Sequence, residues 1–258
     1  MSKTAVSQKN KKVISIILVV IALVASIEIY FGFLQKHEVA NNVKIDGVFL
    51  AQTKGIENFN LTSSDGKPFT KDNLNGHWTM MFFGFTNCGM VCPTTMAALG
   101  EMYKQLEKDL PANQLPQVVM ISVDPDRDSQ QRMKEYVTSF NPKFIGARAD
   151  IAETVALEKQ LHIAAAKMQV DGQGKNQYTI NHSAEVLLFN PKGQLQAYLA
   201  YPHQAPQMVK DYKLIIKTVG QLSIGKFYAF IKNYYITDRD YNDRLYATRF
   251  CITRYQRK

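Results

Sequence analysis

The stretch Trp78-Thr-Met-Met-Phe-Phe-Gly-Phe85-Thr-Asn-Cys88-Gly-Met-Val-Cys92-Pro93 decides the fold, because it passes from one hydrophobic period to another across a pair of cysteines. Trp78 to Phe85 is a continuous apolar run of strand length, as expected for a strand covered on both faces of a sheet. From Pro93 to Leu110 the spacing changes. Met96, Leu99, Met102, Tyr103, Leu106 and Leu110 fall on one helical stripe, with Pro93 tolerated in the first turn and Pro111 marking the stop. A buried strand therefore feeds an amphipathic helix, and the cysteines stand where one becomes the other.

The same reading extends outward. Phe59 to Leu61 and Pro68 to Phe69 flank Ser64-Asp65-Gly66-Lys67, a hairpin turn with glycine where positive φ is needed. Val118 to Val123 is a second buried strand. Ser129 to Phe140 and Ile151 to Leu161 read as helices, Ala184 to Phe189 and Leu195 to Leu199 as strands about Asn190-Pro-Lys-Gly193, and Ala205 to Val219 as a closing helix. This order describes an α/β protein, a mixed β-sheet flanked by helices, whose ligand site lies at the carboxyl ends of the parallel strands.

At that edge stands Cys88-Gly-Met-Val-Cys92. Cysteines at i and i+4, the second at a helix start, lie about one turn apart, where unpaired N–H groups and the positive end of the helix dipole favour thiolate. Thiolate is both nucleophile and metal ligand. Three intervening residues make a wider claw than a CxxC pair, one that closes as a disulfide or opens around a soft metal. Met90, inside the claw, is a weak thioether donor at most and otherwise a packing or partner-facing residue. Cys251 has no partner by spacing.

A third ligand must come from among five histidines. His37 lies in a polar segment, His77 before a strand, His162 at a helix end and His203 in a Pro-flanked loop, and each reads as bland. His182 immediately precedes the strand Ala184 to Phe189. In thioredoxin-like folds the loop before that strand packs against the cysteine motif and usually carries a cis-proline. An imidazole there faces Cys88 and Cys92. Two thiolates and one imidazole suit Cu(I), and with a weak further ligand Cu(II). Zinc is the rival, though no general base such as an HxE motif stands nearby.

These residues resemble the Sco/SenC family, membrane-anchored copper chaperones of cytochrome c oxidase assembly with a thioredoxin-like domain. The resemblance rests on Phe82-Phe-Gly-Phe-Thr-Asn-Cys88-Gly-Met-Val-Cys92-Pro93, on Val123-Asp-Pro-Asp-Arg-Asp128, and on His182 before an apolar strand. It spans roughly residues 56 to 220. It implies Cys88, Cys92 and His182 as copper ligands, redox activity for the cysteine pair, and an oxidase copper-site subunit, with other periplasmic copper carriers, as partners. Gly89 stands where many relatives have proline, and Asn181 where they have an acid. On the residues alone, Asp124 to Asp128 is first a structural turn, with partner docking the second reading: Asp128 or Ser129 caps the next helix, Pro125 fixes the turn and Arg127 pairs with an acid.

The ends of the 258-residue chain differ from its middle. Residues 13–34 form 22 positions whose single charge is Glu28, the length of a membrane-crossing helix. Four lysines and no acid precede it, in residues 1–12, so the positive-inside rule keeps the N-terminus cytoplasmic and exports the rest. A cleaved signal peptide is the competing reading, but no A-x-A site or lipobox cysteine follows. A bacterial inner-membrane protein facing the periplasm is the expectation. Residues 35–55 read as a tether, 56–222 as the copper-binding domain, and 223–258 as a basic tail with nine aromatics, placed on anionic lipid, on a partner, or without a role, and dispensable for the metal site. Residues 36–222 hold 19 basic and 18 acidic side chains, too balanced for a nucleic-acid surface.

Three function classes follow. A metallochaperone takes up copper and passes it on by ligand exchange. A thiol:disulfide oxidoreductase reduces a partner's metal-binding cysteines with the same pair. A third class, peroxiredoxin-like peroxide reduction, is suggested by Val91-Cys92-Pro93-Thr94 and ranks last, because the PxxxTxxC pattern fails at both cysteines.

Overall fold

The computed structural model describes residues 13–27, 29–30, 43–169 and 178–236, with side chains to residue 221. Ten strands and four helices follow the N-terminal segment. Strands β1 (Gly47–Lys54), β2 (Asn60–Ser63), β3 (Pro68–Thr70) and β4 (Thr79–Gly84) precede helix α1 (Val91–Asp109). Strand β5 (Gln117–Ser122), helix α2 (Gln130–Phe140), β6 (Ile145–Arg148) and α3 (Ile151–Leu161) come next. Then β7 (Ala165–Gln169) and β8 (Tyr178–His182) form a hairpin, β9 (Val186–Phe189) and β10 (Leu195–Leu199) another, and α4 is Ala205–Ile236.

Eight strands make one mixed sheet in the order β1-β10-β9-β4-β5-β6-β2-β3, and β7 and β8 pair separately. The apolar run of the sequence is its centre: β4 pairs parallel with β5 and antiparallel with β9, and Met80 to Phe83 are fully buried. β5 and β6 are also parallel, so their carboxyl ends meet that of β4 at one edge. The Ser64–Lys67 turn forms as expected, with Gly66 at φ +80°.

The structure corrects the reading in four places. Residues 47–54, assigned to the tether, form β1, antiparallel to β10 at the sheet edge. Their alternation is shallow because an edge strand is only half covered. β6 and the β7–β8 hairpin were not foreseen: the first has four residues, the second is mostly exposed, and neither carries a strong period. The last helix continues past Val219 to Ile236, inside the segment read as tail. Contacts divide the chain into two units, Met1–Asp211 and Tyr212–Lys258.

Residues 13–27 and 29–30 are helical, with exposed side chains. Glu28 and residues 31–34 of the expected anchor, residues 1–12, most of the tether with His37, and the tail from 237 with Cys251 lie outside the described residues. Among the described residues no helix is long and apolar enough to cross a membrane.

Candidate metal centre

The cysteine claw hangs from the end of β4. Asp128, fully buried, accepts from the Thr86 N–H at 3.2 Å, the Thr86 hydroxyl at 2.5 Å and the Ser122 hydroxyl at 2.6 Å. A carboxylate can be buried at this edge because three donors replace the water it loses. Arg132 donates to Thr86 Oγ1 at 2.7 Å and to Asn87 Oδ1, fixing the next residue from α2. The expected cap of α2 falls to Ser129, which accepts from the Arg132 N–H, so Asp128 is free for the loop. Helix α1 starts at Val91, placing Cys92 inside its first turn and Cys88 one turn before it. The Cys92 N–H lies 3.4 Å from Cys88 Sγ.

Cys92 is buried and Cys88 half-buried, and neither is in a disulfide. A Cβ on Gly84 would meet Cys92 Sγ at 3.0 Å and Phe82 Cε1 at 2.7 Å. Glycine inside this otherwise large-residue strand is thus the space in which the sulfur sits, a signal the Phe-Gly-Phe triplet carried.

His182 arrives on the separate hairpin. Its Nε2 is 3.3 Å from Cys92 Sγ, and its ring is edge-on to Phe82 and Phe85, at 6.0 and 5.8 Å between centroids. Its Nδ1 donates to the Ser183 carbonyl at 2.7 Å, which leaves the Nε2 lone pair facing the sulfurs. The Asp124–Asp128 turn holds the hairpin there. Tyr178 donates to Asp124 Oδ1 at 2.7 Å, Arg127 donates to the Tyr178 carbonyl at 3.0 Å and stacks 3.8 Å from its ring, and Asp124 pairs with Arg127. Lys167 of β7 bonds Asp126 at 2.7 Å.

Cys88 Sγ, Cys92 Sγ and a ring nitrogen of His182 lie within 4.8 Å of one another, as the sequence predicts. The other described histidines stay apart from this group: His77 bonds Gln117, and His162 caps α3 and meets Lys54 Nζ at 2.8 Å. His203 is less bland than expected. It donates from Nε2 to the Ala184 carbonyl at 2.8 Å, fixing the segment that follows His182, and burial pushes its pKa down. The cis-proline of the fold is not beside His182; the cis bond is Tyr201–Pro202. Thr86, Ser122, Asp128 and Arg132 were missed as supports of the site.

The two sulfurs are unequal. Cys88 is pushed down to about 3, first by the hydrogen bond from the Cys92 thiol and then by the backbone N–H groups around it. Cys92 is pushed well above the ordinary thiol range, by the same bond first and by burial second. One proton thus stays on the buried sulfur while the outer one is a thiolate. Iodoacetamide is therefore expected to modify Cys88 first, at a rate nearly flat between about pH 5 and pH 8, where an ordinary thiol of pKa about 8.5 slows roughly tenfold per unit. Peptide mapping of the labelled protein checks this, and a rate tracking pH like a free thiol's would contradict it.

The SCO1/SenC family profile matches residues 50–217. The chain belongs to this family. Among its relatives, a SCO1 homologue of Arabidopsis thaliana, a mitochondrial protein, is 30% identical over 63% of this chain, and a mouse mitochondrial SCO2 homologue is 30% identical over 62%. The chain spans 46% and 61% of their respective lengths. The copper-bound ScoI structure of Bradyrhizobium japonicum is 31% identical, covers 62% of this chain and 98% of its own, and superposes with a TM-score of 0.55. The sheet and helices here are those of the thioredoxin-like Sco domain, as the motifs predicted. The three side chains that could hold a metal offer two soft sulfurs and one imidazole nitrogen with its lone pair turned inward, a set that fits copper.

Proposed function

We propose that this chain is a copper metallochaperone for cytochrome c oxidase assembly, in which Cys88, Cys92 and His182 hold Cu(I) and release it to a copper-site subunit of the oxidase. The observation that carries the reading is the three converging donors on a Sco domain. Copper-bound Sco structures from a plant, a bacterium and yeast support the choice of metal. Loading requires Cys92 to give up the proton that Cys88 now shares. Residues 13–34 serve as the membrane anchor, with the domain on the periplasmic side of a bacterial inner membrane; the apolar run and the lysines before it support this placement.

A thiolate beside a proton-bearing neighbour also suits thiol:disulfide exchange on a partner's metal-binding cysteines. One variant separates the two. His182→Ala is expected to lower Cu(I) affinity about a hundredfold in bicinchoninate competition, while reduction of a disulfide substrate, followed by free-thiol assay, persists. Copper binding unchanged in His182→Ala, or absent from the reduced wild-type protein, would overturn the chaperone reading.

A further inference from the structure

Copper held by a transfer protein must leave it, and at the mouth of this site one donor is spare. Nine methionines fall among the described residues, and seven are buried: Met80, Met81, Met96, Met102, Met120, Met133 and Met208. Met90 is 69% exposed and Met168 51%. Met90 therefore packs little, although it lies between the two cysteines in the non-helical position that caps α1. The loop's other donors are engaged: Thr86 Oγ1 with Asp128 and Arg132, Asn87 Oδ1 with Arg132. A Cβ at Gly89 would meet nothing within 4 Å beyond its chain neighbours, so no other part of the described chain crowds the backbone that joins half-buried Cys88 to Met90.

A thioether is a soft, neutral donor on three rotatable bonds, matched to Cu(I) and too weak to compete with two thiolates at rest. Resting on the copper reading above, we propose that Met90 Sδ is the exchangeable donor through which Cu(I) leaves. The Cu–N bond to His182 breaks as the Cu–S bond to Met90 forms. Copper stays Cu(I), both thiolates keep their charge, the imidazole keeps its lone pair and no proton moves. His182 is the ligand that yields because it is neutral and sits on the separate β7–β8 hairpin, whereas both sulfurs sit on the loop and helix start that Asp128 and Arg132 fix to the main sheet. The copper is then held from the solvent side, where an acceptor reaches it.

The test uses the full chain in detergent micelles, reduced, loaded with one Cu(I), with bicinchoninate as acceptor. Met90→Leu and Met90→Gln are expected to slow transfer in stopped-flow mixing about tenfold, with equilibrium affinity within about twofold of wild type. Met168→Leu is the control for the other exposed methionine and is expected to transfer at the wild-type rate. Wild-type transfer in both Met90 variants, equal slowing in Met168→Leu, or an affinity loss as large as the rate loss would each overturn the exchange role. Failure of the wild-type protein to load Cu(I) would sink the copper reading itself, whereas normal loading with unchanged transfer sinks this proposal alone.

Discussion

Cys92→Ser is expected to lower Cu(I) affinity by about three orders of magnitude, roughly 4 kcal/mol at about 1.4 kcal/mol per tenfold. The serine oxygen is a hard donor that stays protonated, so the claw loses half of its charge toward a soft ion. The size of the residue barely changes, and the pocket beneath Gly84 remains filled, so the melting temperature of the apo-protein should move little. A second consequence belongs to Cys92→Ala, because the serine hydroxyl can still donate to Cys88 whereas alanine cannot. The hydrogen bond from Cys92 is the largest influence holding Cys88 low, so in Cys92→Ala its thiolate should become harder to form and its alkylation should turn pH-dependent. Affinity by bicinchoninate competition and alkylation from about pH 5 to pH 8 measure the two effects. Retention of copper within tenfold of wild type would show that Cys92 is not a ligand.

Asp128→Ala is expected to cost about 3–5 kcal/mol of folding stability, against a total of about 5–15 kcal/mol for a domain. The side chain is fully buried and accepts from the Thr86 N–H, the Thr86 hydroxyl and the Ser122 hydroxyl. Alanine leaves these donors without a partner in a place water fills poorly. Asp128→Asn keeps the volume and one acceptor oxygen and should lose roughly half as much. Urea midpoints of both variants check the values, and a loss below about 1 kcal/mol in Asp128→Ala would mean that the network is not what holds the cysteine loop.

Elements with strong local signals were legible in the sequence. β4, β5 and β9 are continuous apolar runs, α1 has an apolar stripe with proline at both ends, and Ile151–Leu161 and Leu195–Leu199 fall where read. The missed strands owe their conformation to neighbours rather than to their own pattern: β1 is an extended edge because β10 offers a ladder, and β6 because β5 does. The site divides along the same line. Cys88 and Cys92 were visible from spacing, whereas His182 came within reach only through the inferred topology. The supports stayed hidden, since nothing local says that Thr86 and Asp128 meet across 42 residues or that Arg127 stacks on Tyr178 across 51.

The sulfurs stand on the loop and first helical turn that follow β4 of the large sheet, the imidazole on the two-stranded sheet. An ion bound by Cys92 and His182 is consequently a crosslink closing a loop of 90 residues. Closure of so long a loop takes entropy from the unfolded chain, so an ion held there would act as a removable staple, and its loss would leave the fold without that tie.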